Sequence, residues 1–129
     1  MSQGGGERPF VGWLLDAAER DALLERFPPR YETVVAHHVT EAYDPPELEL
    51  PSATRGEIVG MADDGAGVQA LVVRIGGGVG RPDGSTYHVT WSLAAGRQAW
   101  ESNVLLRAGW TPVNEAVPVR LEPTIFRRP

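Results

Sequence analysis

The sequence predicts an α+β domain, and three observations carry that expectation. Short β-branched and apolar runs recur along the chain, separated by Gly, Pro and Asp. Only two stretches have helical spacing, so strands outnumber helices. A length of 129 residues suits one domain, and a chain of that size buries about two thirds of its unfolded surface.

The elements follow in order. Residues 1–9 are Gly-rich and polar and read as a flexible leader, 10–126 as the single domain, and 127–129 as a tail. FVGWLL at 10–15 predicts a buried strand. Asp16 then stands at an N-cap position before AAERDALLERF, where Leu23, Leu24 and Phe27 share one face. Pro28 and Pro29 end that helix, because neither can donate to its ladder. Residues 31–40 predict a strand, followed by an acidic, Pro-rich connector. Strands at 55–62 and 68–75 flank DDGAG, which has hairpin-turn chemistry. A glycine-rich loop at 76–85 precedes a strand at 87–93. A helix over 96–109 is expected to carry Trp100, Val104 and Leu105 on one side, and a last strand covers 117–126.

Composition removes several chemistries. Hydrophobic content of 42% with 22% charge excludes a wholly disordered chain. There is no cysteine, hence no disulfide scaffold, thiol nucleophile or cysteine-based metal site. All 12 basic residues are arginine, which removes Schiff-base chemistry and a phosphate-loop lysine. No apolar run approaches the ~20 residues that span a bilayer, and no signal pattern opens the chain. The expectation is a cytoplasmic protein without a membrane partner. A net charge of −5 argues against coating long duplex nucleic acid, but permits a short RNA end or a nucleotide.

His-Val-Thr occurs twice, at His38-Val39-Thr40 and His88-Val89-Thr90, 50 residues apart and each in an expected strand. Residues two apart in a strand share a face. His38 and Thr40 thus project together, and so do His88 and Thr90. If the two strands border one groove, two imidazoles and two hydroxyls converge there. One neutral imidazole can take a proton from water while a protonated one supplies it to a leaving oxygen. Hydroxyls can hold the non-bridging oxygens of a phosphate. His37 should point to the opposite face, as a packing or surface residue.

The repeated motif resembles the two-histidine (2H) phosphoesterase superfamily. The context of the second copy, YHVTWSLAAGRQAWESNVLL, is similar to the cyclic phosphodiesterase domain of plant- and fungal-type tRNA ligases, with Trp91, Gly96, Glu101, Ser102, Asn103 and Leu105 in the corresponding places. The resemblance spans 10–119 and is most specific over 87–106. It implies two pseudo-symmetric lobes of antiparallel strands around a central groove, with two main helices. It further implies metal-independent hydrolysis of a 2′,3′-cyclic phosphate on an RNA end or small nucleotide, with no cofactor. His38 and His88 become the acid/base pair, and Thr40 and Thr90 the phosphate clamps.

Other residues remain candidates. Arg97 could meet a substrate phosphate, and Asn103 could contact substrate or serve as a buried structural amide. Trp91, with Trp13, Trp100 and Trp110, could stack a base or fill the core. GGGVG at 76–80 lacks the Lys-Ser/Thr of a phosphate loop and reads as a hairpin tip over the groove. Two rival functions stand beside the phosphodiesterase. One is a catalytically silent module that binds a nucleotide or protein. The other is a metal-dependent hydrolase built from His37, His38, Asp63 and Asp64.

Overall fold

The computed structural model describes residues 9–127. It is α+β, with nine elements: β1 (Phe10–Leu15), α1 (Ala17–Arg26), β2 (Thr33–Val34), β3 (His38–Tyr43), β4 (Arg55–Asp63), β5 (Val68–Arg74), β6 (His88–Leu93), α2 (Glu101–Arg107) and β7 (Thr111–Phe126). Every strand pairing is antiparallel. The order β6-β3-β1-β7-β4-β5 closes on itself through β5–β6, so the sheet is a six-stranded barrel with β2 added beside β6. Closure gives each barrel strand a partner on both sides.

The ring divides into two three-stranded halves, β7-β1-β3 and β4-β5-β6, that meet at two seams. The β7–β4 seam is long, running from Arg55↔Arg120 to Met61↔Thr111 with one irregularity. The β3–β6 seam is reduced to one register pair, Val39↔Val89. Both valines are fully buried and point into the barrel.

The period of two along each strand sorts the core into two layers. Inward residues Trp13, Val39, Ile58, Leu71, Val89, Trp91 and Leu121 fill the barrel, and Leu23 of α1 joins them. Both central indoles have a backbone acceptor: Trp13 Nε1–H donates to the Ala53 carbonyl at 2.8 Å and Trp91 Nε1–H to the Phe27 carbonyl at 2.7 Å. Outward residues Ala62, Ala70 and Val72 form a smaller cluster with Leu106 of α2. The helix α2 therefore lies on the outer surface, against β4 and β5.

The residues that start α1 behave as expected, with the Asp16 carboxylate accepting from the Glu19 N–H at 3.1 Å. Three boundaries differ from expectation. The strand expected over 31–40 breaks at Ala36, whose φ is +42°. The Ala36 carbonyl is turned toward α1, where Arg20 Nε–H donates to it at 2.7 Å. The second helix is shorter than 96–109 because Gly96, at φ +81°, and three-residue turns lead into it. Those turns reset its phase: Ser102 and Leu106 face the barrel, while Trp100 and Val104 are 63% and 51% exposed. The last strand begins at Thr111, earlier than 117, because it continues along β4 past the irregularity.

Close packing of β1 on β3 requires Gly12. A Cβ there would stand 2.1 Å from the Val39 carbonyl oxygen. Among the described residues no helix is long and apolar enough to cross a membrane. The expected leader and tail fall mostly on 1–8 and 128–129, outside the described residues.

Candidate active site

Antiparallel pairing through Val39↔Val89 sets His38 beside Thr90 and Thr40 beside His88. Because both valines point inward, all four neighbours point outward. They line one cleft of about 430 Å³ on the outer face of the barrel. Its far wall is the turn entering α2, with Gln98, Ala99, Trp100 and Asn103. Phe10 and Tyr43 close the end next to β1.

The two ends of the cleft differ in depth. Thr40 and His88 are buried, at 4% and 8% exposure, whereas His38 and Thr90 are half-buried. His88 Nδ1 lies 2.8 Å from the Thr86 carbonyl. A carbonyl only accepts, so Nδ1 carries the proton and Nε2 of the neutral ring is the acceptor. Burial pushes the His88 imidazole below its usual 6.5; the Thr86 carbonyl opposes that shift and the nearby Arg81 charge adds to it. His88 is thus built to stay neutral.

His38 sits among aromatic rings, 5.5 Å from Phe10 and 5.1 Å from Phe126 between centroids. Its Nδ1 is 3.0 Å from His37 Nδ1. Two acceptor lone pairs would repel at that distance, so one of the two nitrogens donates. His37 is exposed and lines a separate cavity with Leu14, Arg20 and Arg120, in line with a surface residue. Its ring nevertheless reaches His38, which strand alternation does not predict. The chain breaks at Ala36 just before it, and regular pairing begins only at His38, although the Leu15 N–H still donates to the His37 carbonyl at 3.2 Å.

Thr90 is held from α2. Its Oγ1 is 2.9 Å from Ser102 Oγ and 3.4 Å from the Ala99 carbonyl. Ser102 has no exposure and was not singled out as a functional candidate by sequence reasoning. The signal available was its four-residue spacing from Leu106, once the helix phase is known.

The other sequence candidates divide. Asn103 and Trp100 line the cleft. Trp91 does not, since its indole is fully buried inside the barrel. Arg97 does not line it either: its guanidinium is engaged by Asp64 at 2.8 Å, Glu101 at 2.9 Å and the Ala66 carbonyl at 2.8 Å. These bonds tie the β4–β5 hairpin to the approach of α2. The glycines at 76–80 fold into a tight turn bridged by Ile75↔Gly78, and none lines the cleft.

Asp63 and Asp64 stand at the Leu93 end of β6, because Val68 pairs with Leu93. That end is roughly 16 Å from His88 at the rise of a strand. Asp63 is bound by Arg30 and Tyr31, and Asp64 by Arg97. Burial pushes both carboxyls up, but these bonds, with the Gly65 N–H on Asp63 and the Val68 and Ala66 N–H groups on Asp64, outweigh it and hold both below the usual carboxylate range. Among the described residues no three His, Asp or Glu side chains are grouped to hold a metal ion, so the His37, His38, Asp63, Asp64 set does not assemble.

Comparison of the chain with protein-family models, with curated proteins and with solved structures finds no match.

Proposed function

We propose that this chain is a phosphodiesterase of the two-histidine type that opens a 2′,3′-cyclic phosphate on an RNA end or small nucleotide. The observation that carries the reading is the single cleft in which both His-Val-Thr motifs present an imidazole and a hydroxyl. The division of the barrel into two three-stranded halves, each with one motif at the β3–β6 seam, supports the same fold family.

In this reading the cyclic phosphate lies between His38 and His88. The neutral His88 accepts a proton at Nε2 from the attacking water, and the new P–O bond forms. The bond from phosphorus to one ribose oxygen breaks, and that oxygen keeps the electron pair. A protonated His38 delivers a proton to it, leaving a phosphomonoester and a free hydroxyl. Thr40 and Thr90 donate to the non-bridging oxygens as charge builds on them. With Ser102 as the donor of its pair with Thr90, the threonine proton is left to turn from the Ala99 carbonyl to the phosphate. Trp100 and Tyr43 offer ring faces for the base. None of these steps calls for a metal.

The deciding experiment is turnover of a nucleoside 2′,3′-cyclic phosphate by the full chain, with and without a chelator. The reading expects hydrolysis that survives the chelator and is lost in His88→Ala. Binding without turnover replaces it with the silent module, and chelator-sensitive turnover with the metal hydrolase. Resolving the 2′- from the 3′-phosphate product identifies the leaving oxygen.

A further inference from the structure

Beside the cleft lies a guanidinium that the hydrolysis does not use. Arg81 belongs to the Arg81–Ser85 turn between β5 and β6, closed by Arg81 N–H to the Ser85 carbonyl at 2.7 Å and Gly84 N–H to the Arg81 carbonyl at 2.9 Å. Its side chain is only 3% exposed. Nη2 reaches Asp83 at 3.2 Å, but Nε and Nη1 have no hydrogen-bond partner among the described residues. The Tyr43 ring, 5.4 Å away, covers one face of the guanidinium and supplies no oxygen.

Buried N–H donors without acceptors carry their full desolvation cost, and for a charged group that cost is large. Asp83 does not remove it. The Ser85 hydroxyl holds that carboxyl down to about 2, and the Ser85 N–H and Arg81 act in the same direction against burial. One of its oxygens is thus committed to Ser85. The turn fixes the carboxylate on Nη2 and leaves Nε and Nη1 buried without an acceptor.

Arg81 also lines a cavity of about 420 Å³, together with Asp83, Ser85, Asn103 and Arg107. Two guanidinium groups against one carboxylate leave its lining net positive. Asn103 Oδ1 is buried and has no partner either, while its Nδ2 donates to the Trp100 carbonyl at 3.2 Å. Two residues that line the cavity thus hold unmet polar groups at its wall, positive donors on Arg81 and a neutral acceptor on Asn103. An anionic oxygen group beside a hydroxyl satisfies both. Asn103 lines this cavity and the His/Thr cleft alike, so the two spaces adjoin.

Resting on the phosphodiesterase reading, we propose that the Arg81 cavity binds a second phosphate of the substrate. Asn103 then accepts from a ribose hydroxyl beside that phosphate. The substrate is accordingly an RNA end, with the phosphate next to the terminal cyclic nucleotide held by Arg81 and Arg107. A nucleoside cyclic phosphate fills only half of the available site.

The test compares a nucleoside 2′,3′-cyclic phosphate with a ribodinucleotide ending in the same group. The wild-type chain should favour the dinucleotide in kcat/KM by about tenfold or more, chiefly through KM, as expected for charge-assisted hydrogen bonds. Arg81→Gln and Arg107→Gln should each bring that ratio toward one, with melting temperatures recorded alongside. Arg107 is exposed, so its variant keeps the test decisive should Arg81→Gln fail to fold. Equal kcat/KM for the two substrates in the wild type, or a ratio untouched by Arg107→Gln, overturns the proposal. Calorimetric binding of a ribodinucleotide 3′-phosphate against a nucleoside 3′-phosphate judges the cavity independently of turnover. Tighter dinucleotide binding that Arg107→Gln abolishes upholds the cavity even where both cyclic substrates resist hydrolysis, a result that removes the phosphodiesterase alone.

Discussion

The two His-Val-Thr copies have the same three residues and opposite surroundings. In the second copy, the carbonyl two residues before the histidine, that of Thr86, accepts from His88 Nδ1 at 2.8 Å. In the first, the equivalent carbonyl is that of Ala36, and Arg20 has taken it at 2.7 Å. His38 Nδ1 meets the His37 ring instead, at 3.0 Å. Burial follows the same division, with His88 deep and His38 half-open. The tripeptide places a histidine and a threonine on the outer face of a strand. What backs the imidazole then separates a proton acceptor from a proton donor.

Removing either imidazole should have the largest effect. General acid and base roles are each worth about 10²–10⁴ in rate, so His88→Ala and His38→Ala should each lower kcat on a 2′,3′-cyclic nucleotide by that order. The comparison becomes sharper in pH. If His88 must be neutral to act, kcat/KM rises with pH on the acid limb, and the midpoint of that limb lies below 6.5. An acid-limb midpoint above 6.5 would reverse the assignment of base and acid. Stability carries the same sign. Folded His88 holds its proton less tightly than the unfolded ring, so below the unfolded value near 6.5 the unfolded chain takes up the proton first. This contribution is complete at neutral pH and lost as pH falls through the folded value. The wild-type melting temperature should therefore drop between pH 7 and pH 5 by more than that of His88→Gln.

The threonines come next. Thr→Val keeps shape and β-branching but removes the donor, and one such donor is worth about 10²–10³ in kcat. Thr40→Val and Thr90→Val should both show losses of that size, while Thr40→Ser and Thr90→Ser lose far less. Equal rates for the Val and Ser forms would reduce both threonines to strand residues. Ser102 distinguishes the two copies, since it contacts Thr90 at 2.9 Å across the cleft wall. Losing one ordinary hydrogen bond costs about 1 kcal/mol, or roughly fivefold. Ser102→Ala should lower kcat by about that factor and add nothing once Thr90 is already Val. A full further loss in the double variant would show that Ser102 acts elsewhere.

Much of this was legible in the sequence, and the remainder has physical reasons. Alternation of two along a strand places His38 with Thr40 and His88 with Thr90, and the inward Val39 and Val89 follow from the same rule. Asp16 announces the start of α1 by its capping chemistry. Barrel closure was not legible, because the pairing of β5 with β6 and of β1 with β7 depends on long-range register that no local signal carries. The break at Ala36 was hidden for the same reason: its cause, Arg20, lies on another element. Trp91 stays open between base stacking and core in the sequence, because an indole looks alike in a groove and in a core; the deciding fact is the Phe27 carbonyl that its N–H finds. Arg97 was misplaced because its three acceptors, Asp64, Ala66 and Glu101, converge only after the β4–β5 hairpin folds onto the approach to α2. Arg81 is silent in the sequence, since nothing in an Arg-Pro-Asp-Gly turn announces that the arginine is buried.

The smallest effect expected, and the sharpest probe of the difference between the copies, is at His37. Strand alternation would make it indifferent to catalysis. The observed contact gives it a part in positioning, because whichever Nδ1 donates fixes the tautomer of His38. His37→Phe keeps a ring near Phe126, now 6.3 Å from the His37 centroid, and removes the nitrogen. Losing one hydrogen bond to the acid predicts a several-fold fall in kcat with KM unchanged. A packing role alone could lower the rate, so the second readout is the ring ¹⁵N shifts of His38. In the wild type they should report one dominant tautomer, and in His37→Phe a mixture of both. His88 should keep its shifts in the same variant, because the Thr86 carbonyl still accepts from its Nδ1. Unchanged His38 shifts together with an unchanged kcat would return His37 to the surface role that its exposure suggests.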